Sequence, residues 1–138
     1  MIFYQYDPDM DHEFVSNLID RGLIKIPETS SMKGNRIQVT DKDEIFLFSN
    51  DHEEVGLIWL VIQDRHSMDV HGLYMDERID SDRLKGKFMS FAVKRARYLN
   101  LDTVRFHMDQ AIEEGTQVAD GLGCVKIQLE GQTVHCTL

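Results

Sequence analysis

A mixed α/β (α+β) fold, with helices packed on one mixed sheet around a dominant core, follows from three observations on this 138-residue chain. Short apolar segments rich in Ile, Val, Phe and Trp recur along it. Two stretches carry the helical spacing of apolar residues instead. The order places adjacent strands first and helix-connected strands last.

The elements can be justified in turn. IFYQY (residues 2–6) reads as a strand stopped by Asp7-Pro8. Asp9 or Asp11 is placed to cap a helix whose apolar stripe is Phe14, Val15, Leu18 and Ile19, closed by Gly22. IKIPETSSMKGN has Pro, Ser, Gly and Asn without helical period and reads as loop, with room for one short helical turn, and Arg36 to Thr40 begins an extended segment. EIFLFSN and EVGLIWLVIQ are strands joined by the turn-like NDHEE. The second is apolar on both faces, as a covered central strand requires. MDVHGLYM is the next strand, followed by the acidic loop DERIDSD. In DSDRLKGKFMSFAVKRARYLN, Phe88, Ala92, Ala96 and Leu99 share one helical stripe with Met89 and Val93 beside it, which leaves Lys87, Lys94 and Arg97 outward. TVRFHM is a short strand, QAIEEGTQVADGLG a weaker second helix ended by glycine, and CVKIQLEGQTVHCTL a closing hairpin around Glu130-Gly131. The order is β–α–(loop)–β–β–β–α–β–α–β–β.

The bulk numbers narrow the class. The length suits one domain, residues 1–138, able to bury its own core. Hydrophobic residues at 42% and charged residues at 28% are those of an ordinary globule. No apolar run is long enough for a membrane span, and MIFYQYDPDMDHEF turns acidic too early for a signal peptide. Cys124 and Cys136 lack a CxxC or His-spaced partner, which points to two free thiols in a reducing cytoplasm and to no zinc site. The remaining histidines show no metal-ligand spacing, and no P-loop, Rossmann fingerprint or Ser-His-Asp order is present.

A net charge of −9 argues against direct nucleic-acid binding. Yet six of the fifteen basic residues fall between Arg83 and Arg97, and three of them, Arg83, Lys85 and Lys87, crowd a helix start where the dipole disfavours cations. Arg83-Leu84-Lys85-Gly86-Lys87 reads as an anion cradle, in which free N–H groups and basic side chains hold phosphate and Gly86 lets the backbone come close. The same residues also read as a solvated helix face neutralised by Asp80 and Asp82.

Strand, loop, R-x-x-G and helix, in this element order, resemble the GNAT superfamily of acyl-CoA-dependent N-acetyltransferases, whose pyrophosphate loop is [Q/R]-x-x-G-x-[G/A]. Arg83 and Gly86 match its first and fourth positions, whereas Phe88 stands where the pattern has a small residue, which would crowd the phosphates unless the loop is recast. The distance from Met75 to Arg83 is a few residues longer than usual in that family. The resemblance implies acetyl-CoA as cosubstrate, with the backbone of Leu73, Tyr74 and Met75 on the pantetheine arm. Ala111, Gly123 and Cys124 are similar to the family's N-x-x-A-x-x-x-Y-x-x-x-G-F pattern, but Cys124 replaces the aromatic, and Val118 and Ala119 lie where a thiolate-protonating tyrosine is often found.

Acetyl transfer needs a neutral amine, a polarised thioester and close approach. Asp69 and His71 alternate on one strand and so share a face, on the strand where the family often places a base. His71 has the intrinsic pKa suited to proton removal, and Asp69 could orient it. A polar, solvated strand face explains the pair equally well. Backbone N–H groups of this strand could polarise the thioester oxygen. Glu53 and Glu54 could draw a cationic substrate, Cys124 could protonate a thiolate, and Trp59 and Phe91 read as core.

Three functions follow. The first is an N-acetyltransferase acting on an amine of a small molecule or protein. The second is a catalytically degenerate protein of the same fold that works through protein contacts; in style the chain resembles short GNAT-like proteins of bacteriophages, which would place it in a host cytoplasm or a virion. The third, a nucleic-acid mimic, fits poorly because the acids are scattered. The oligomeric state is open, a homodimer included.

Overall fold

The computed structural model describes residues 2–28, 30–78, 82–107, 123–130 and 133–138, with backbone only for 82–85, 107 and 129. The elements are β1 (Ile2–Gln5), α1 (Pro8–Asp20), β2 (Ser31–Lys33), β3 (Arg36–Gln38), β4 (Asp43–Asn50), β5 (Glu53–Ile62), β6 (Ser67–Met75), α2 (Asp82–Tyr98), β7 (Thr103–His107), β8 (Lys126–Glu130) and β9 (Thr133–Thr137). Seven strands form one sheet in the order β1-β4-β5-β6-β7-β9-β8. All neighbours are antiparallel except β6 and β7, which α2 connects in parallel. The expected second helix, within 110–123, falls almost wholly outside the described residues.

α1 forms because Pro8 opens it with a preset φ and Asp7 caps it. The expected caps, Asp9 and Asp11, lie two and four residues past the one the structure uses. The Asp7 side chain accepts from the Asp9 N–H at 2.9 Å, while Asp11 reaches back to accept from the Asp7 N–H at 2.8 Å, a reciprocal capping arrangement. The helix ends where Gly22 takes φ +71°, and the N–H groups of Gly22 and Leu23 close on the carbonyls of Ile19 and Leu18. α2 ends the same way with Asn100 at φ +60°.

A second difference is the hairpin β2–β3, in a stretch that reads as loop followed by an extended start. Its partners are Ser31↔Gln38, Met32↔Ile37 and Lys33↔Arg36, and Ile37 packs into the core beneath α1. Three-residue strands are too short to show a period in sequence. Asp43 anchors this region, accepting from Ser30 Oγ, Thr40 Oγ1 and the Trp59 indole.

Each sheet face buries its own cluster. α1 lays Val15 and Leu18 on Ile45, Leu47, Leu57, Trp59 and Val61. α2 lays Phe88, Met89, Ala92, Val93 and Ala96 on Phe48, Ile58, Leu60, Met68 and Val70, the stripe expected from its spacing. β5 contributes to both, as its unbroken apolar run requires. Burying each large side chain contributes about 1.5–3 kcal/mol. Among the described residues, no helix is long and apolar enough to cross a membrane.

Candidate functional site

The site is set by where pairing stops. β6 and β7 pair from Ser67↔Thr103 to Val70↔Phe106. β6 then continues five residues to Met75, whereas the described part of β7 reaches His107. On its other edge β6 stays paired to β5, with Leu73↔Ile58, Tyr74↔Leu57 and Met75↔Gly56. Among the described residues nothing pairs with the outer edge of 71–75. An open edge of this kind offers backbone donors and acceptors to an extended ligand.

A bulge lies where the edge opens. Trp59 faces Gly72 and Leu60 faces Val70, so His71 is the extra residue. Bulges re-aim side chains beside functional sites. His71 is half-buried, edge-on to Trp59 at 5.9 Å between ring centroids, and its Nε2 lies 2.8 Å from the Lys25 carbonyl oxygen. Asp69 lies opposite Val61 on the same α1-side face, as alternation predicts. The hydrogen bonds of the two run to different groups. Arg105, brought opposite Asp69 by the parallel register, donates its Nε–H to the carboxylate at 2.6 Å, and Gln63 donates at 3.0 Å. Arg105 was the residue missed in sequence, where nothing links positions 36 apart.

The start of α2 lies at the same end of the sheet. Phe88, two residues after Gly86, rests on Gly56, which pairs with Met75. The Phe88 ring is 1% exposed and packed on Phe48, turned toward the sheet, so the side chain expected to crowd a phosphate loop is in the core. Among the described residues, a Cβ on Gly86 would meet nothing within 4 Å outside its own helix backbone. Arg83, Leu84 and Lys85 form the first turn of α2; their side chains, like Asp80, lie outside the described residues. Lys87 is exposed.

The basic cluster divides. Arg95 grips Glu44 through Nε and Nη2, each at 2.6 Å, and lies over the rings of Phe46 and Tyr98. Arg97 donates to the Gly123 carbonyl at 3.0 Å. These two tie α2 to the sheet and to the chain ahead of β8. The carboxylates considered for a cationic substrate also have partners: Glu54 accepts from the Tyr4 hydroxyl at 3.3 Å, and Glu53 pairs with Arg78 at 2.8 Å. Burial, then the charges of Glu54 and Asp11, push the Tyr4 phenol well above its usual range. Arg78 also binds Asp76 and holds that carboxyl down to about 2. Cys124 contacts Cys136, whose thiol burial pushes up to about 12.

The sequence matches no family model and no curated protein. Solved structures do match. An aminoglycoside 6′-N-acetyltransferase from Enterococcus faecium superposes with TM-score 0.68 at 13% identity, covering 99% of this chain and 97% of that one. A GNAT family acetyltransferase from Elizabethkingia anophelis with acetyl-CoA bound gives 0.66 at 10% identity, covering 99% and 97%. A spermidine N-acetyltransferase variant from Vibrio cholerae gives 0.63 at 13% identity, covering 99% and 91%. Identities this low speak to architecture: the chain has the fold of the GNAT acetyltransferases.

Proposed function

We propose that the chain is an acetyl-CoA-dependent N-acetyltransferase acting on an amine of a small molecule or protein. The observation that carries this reading is the edge of β6 at 71–75, unpaired among the described residues, next to the first turns of α2 with a glycine at 86. The backbone of Leu73, Tyr74 and Met75 would hold the pantetheine arm. Arg83, Leu84, Lys85, Gly86 and Lys87 would hold the pyrophosphate, with the helix dipole in support. Acetyl-CoA supplies the acetyl group as a thioester.

His71 serves as base. It removes a proton from the acceptor ammonium; the amine nitrogen then bonds to the acyl carbon, the C–S bond breaks, and the second amine proton passes to the departing thiolate. The proton on His71 returns to water. Asp69, paired with Arg105, would act on His71 only through its charge, on the face the two residues share. The net charge of −9 favours a cationic acceptor. Aminoglycosides and spermidine, named for two of the structural neighbours, are of that class. Two free thiols agree with work in a cytoplasm.

The test is thermal unfolding with and without acetyl-CoA, followed by thiol release over a panel of polyamines, aminoglycosides and peptide amines. Saturating acetyl-CoA should raise the melting temperature, and Arg83→Ala or Gly86→Glu should abolish the rise. No rise in the wild-type protein removes the reading. The degenerate, contact-making alternative, in a phage virion or against a host protein, draws on Val118 and Ala119 standing where a thiolate-protonating tyrosine is often found; a protein that ignores CoA and co-purifies with one defined partner would establish it.

A further inference from the structure

We infer that the Lys25 carbonyl, rather than Asp69, sets the tautomer of His71 and leaves Nδ1 as the nitrogen that takes the acceptor's proton. The proton-taking half of this rests on the reading above; the tautomer half does not.

A carbonyl oxygen can only accept, so at 2.8 Å the Nε2 of His71 must carry the hydrogen. In neutral imidazole the lone pair then lies on Nδ1. After Nδ1 takes a proton, the Nε2–H···O bond becomes charge-assisted and strengthens, so the same carbonyl stabilises the imidazolium. The carbonyl is firmly placed, because Lys25 sits between Ile24, buried at 4% exposure, and Ile26, packed on the same α1-side cluster. Ile24 also comes within 3.7 Å of where a Gly72 Cβ would be, next to His71. The bulge is what turns the ring toward this segment.

Asp69 is differently engaged. Its Oδ1 is 2.6 Å from Arg105 Nε and its Oδ2 3.0 Å from Gln63 Nε2, and Arg105 is braced in turn on Ser67 Oγ at 3.2 Å. The carboxylate therefore serves the β6–β7 junction, and the loop after α1 serves the histidine. The proton balance is that of the reaction above: one proton moves from the acceptor ammonium to Nδ1 and is released to water after transfer, with no redox partner involved.

The test is two-bond ¹H–¹⁵N correlation on the full chain labelled with ¹⁵N-histidine, without acetyl-CoA, at a pH where His71 is neutral. His71→Gln assigns the resonance by its loss. The expected result is the Nε2–H tautomer for His71, unchanged in Asp69→Asn. An Nδ1–H tautomer, an even mixture, or a switch in Asp69→Asn overturns the assignment. With turnover in hand, His71→Gln should lower kcat by about 10²–10⁴-fold with little change in the acetyl-CoA KM. An unchanged kcat, or a wild-type protein that binds acetyl-CoA without turning over, overturns the base role and leaves the tautomer to be judged by the spectrum alone.

Discussion

A Cβ placed on Gly56 would lie 2.7 Å from Cζ of Phe88 and 3.0 Å from the Tyr74 carbonyl oxygen. The contact joins α2 to the β5–β6 pair at the end where, among the described residues, β6 has no neighbour on its other edge. Phe88 has no room to withdraw, since its ring centroid is 3.6 Å from that of Phe48. Gly56→Ala should therefore destabilise the fold by about 1–3 kcal/mol, the usual cost of overpacking. Urea unfolding would measure it, and adding Phe88→Leu should recover part of the loss. An Ala variant as stable as the parent would mean that the helix can shift freely.

Asp43 is the fixed point of the loop region. Ser30 Oγ, the N–H and Oγ1 of Thr40, and the indole N–H of Trp59 all donate to its carboxylate. Asp43→Ala strands these donors in a 5% exposed position and should cost about 2–4 kcal/mol. Asp43→Asn, which keeps one acceptor, should cost less. Trp59 is the single tryptophan, so its emission reports the transition directly.

Hydrogen bonds from Arg78 lower the Asp76 carboxyl from its ordinary value near 3.8 to about 2. A carboxyl with a depressed folded-state pKa contributes stability above its unfolded value and loses it as the pH falls through the folded value. The melting temperature of wild type should accordingly exceed that of Asp76→Asn near neutrality. The gap should close between about pH 4 and pH 2. A gap that stays constant across that window would show that the interaction makes no difference to folding.

Cys136 is fully buried, and its thiol is raised to about 12 by burial and by Cys124. The thiolate is the reacting species, so a disulfide reagent applied to native protein at pH 8 should label Cys124 alone. Cys136 should react only after unfolding. The same shift means that stability falls as the pH rises from about 9 toward 12, because the unfolded chain ionises first. Equal labelling of both thiols in the native state would contradict the packing.

Much of this architecture was legible in the residues. The stripe from Phe88 to Ala96 announces which side of α2 meets the sheet, and the doubly apolar EVGLIWLVI announces a strand covered on both faces. Alternation correctly puts Asp69 and His71 on one face. Where the sequence misleads, the deciding contacts are short or distant. Asp7 rather than Asp9 caps α1 because Pro8 takes the first helical position, ahead of the expected start, and the hairpin at 31–38 is too brief to carry a period.

The amino-acid order by itself thus determined α1, α2 and the longer strands among the described residues, the faces they bury and the basic run at the head of α2, because helical and strand periods are local properties of the chain. Only the tertiary structure decided what those residues do. Parallel pairing of β6 with β7 brings Arg105 to Asp69, the bulge hands His71 to the Lys25 carbonyl, and Arg95 and Arg97 turn out to be fasteners. Register and loop closure join residues tens of positions apart, and no pattern within either segment records such a meeting.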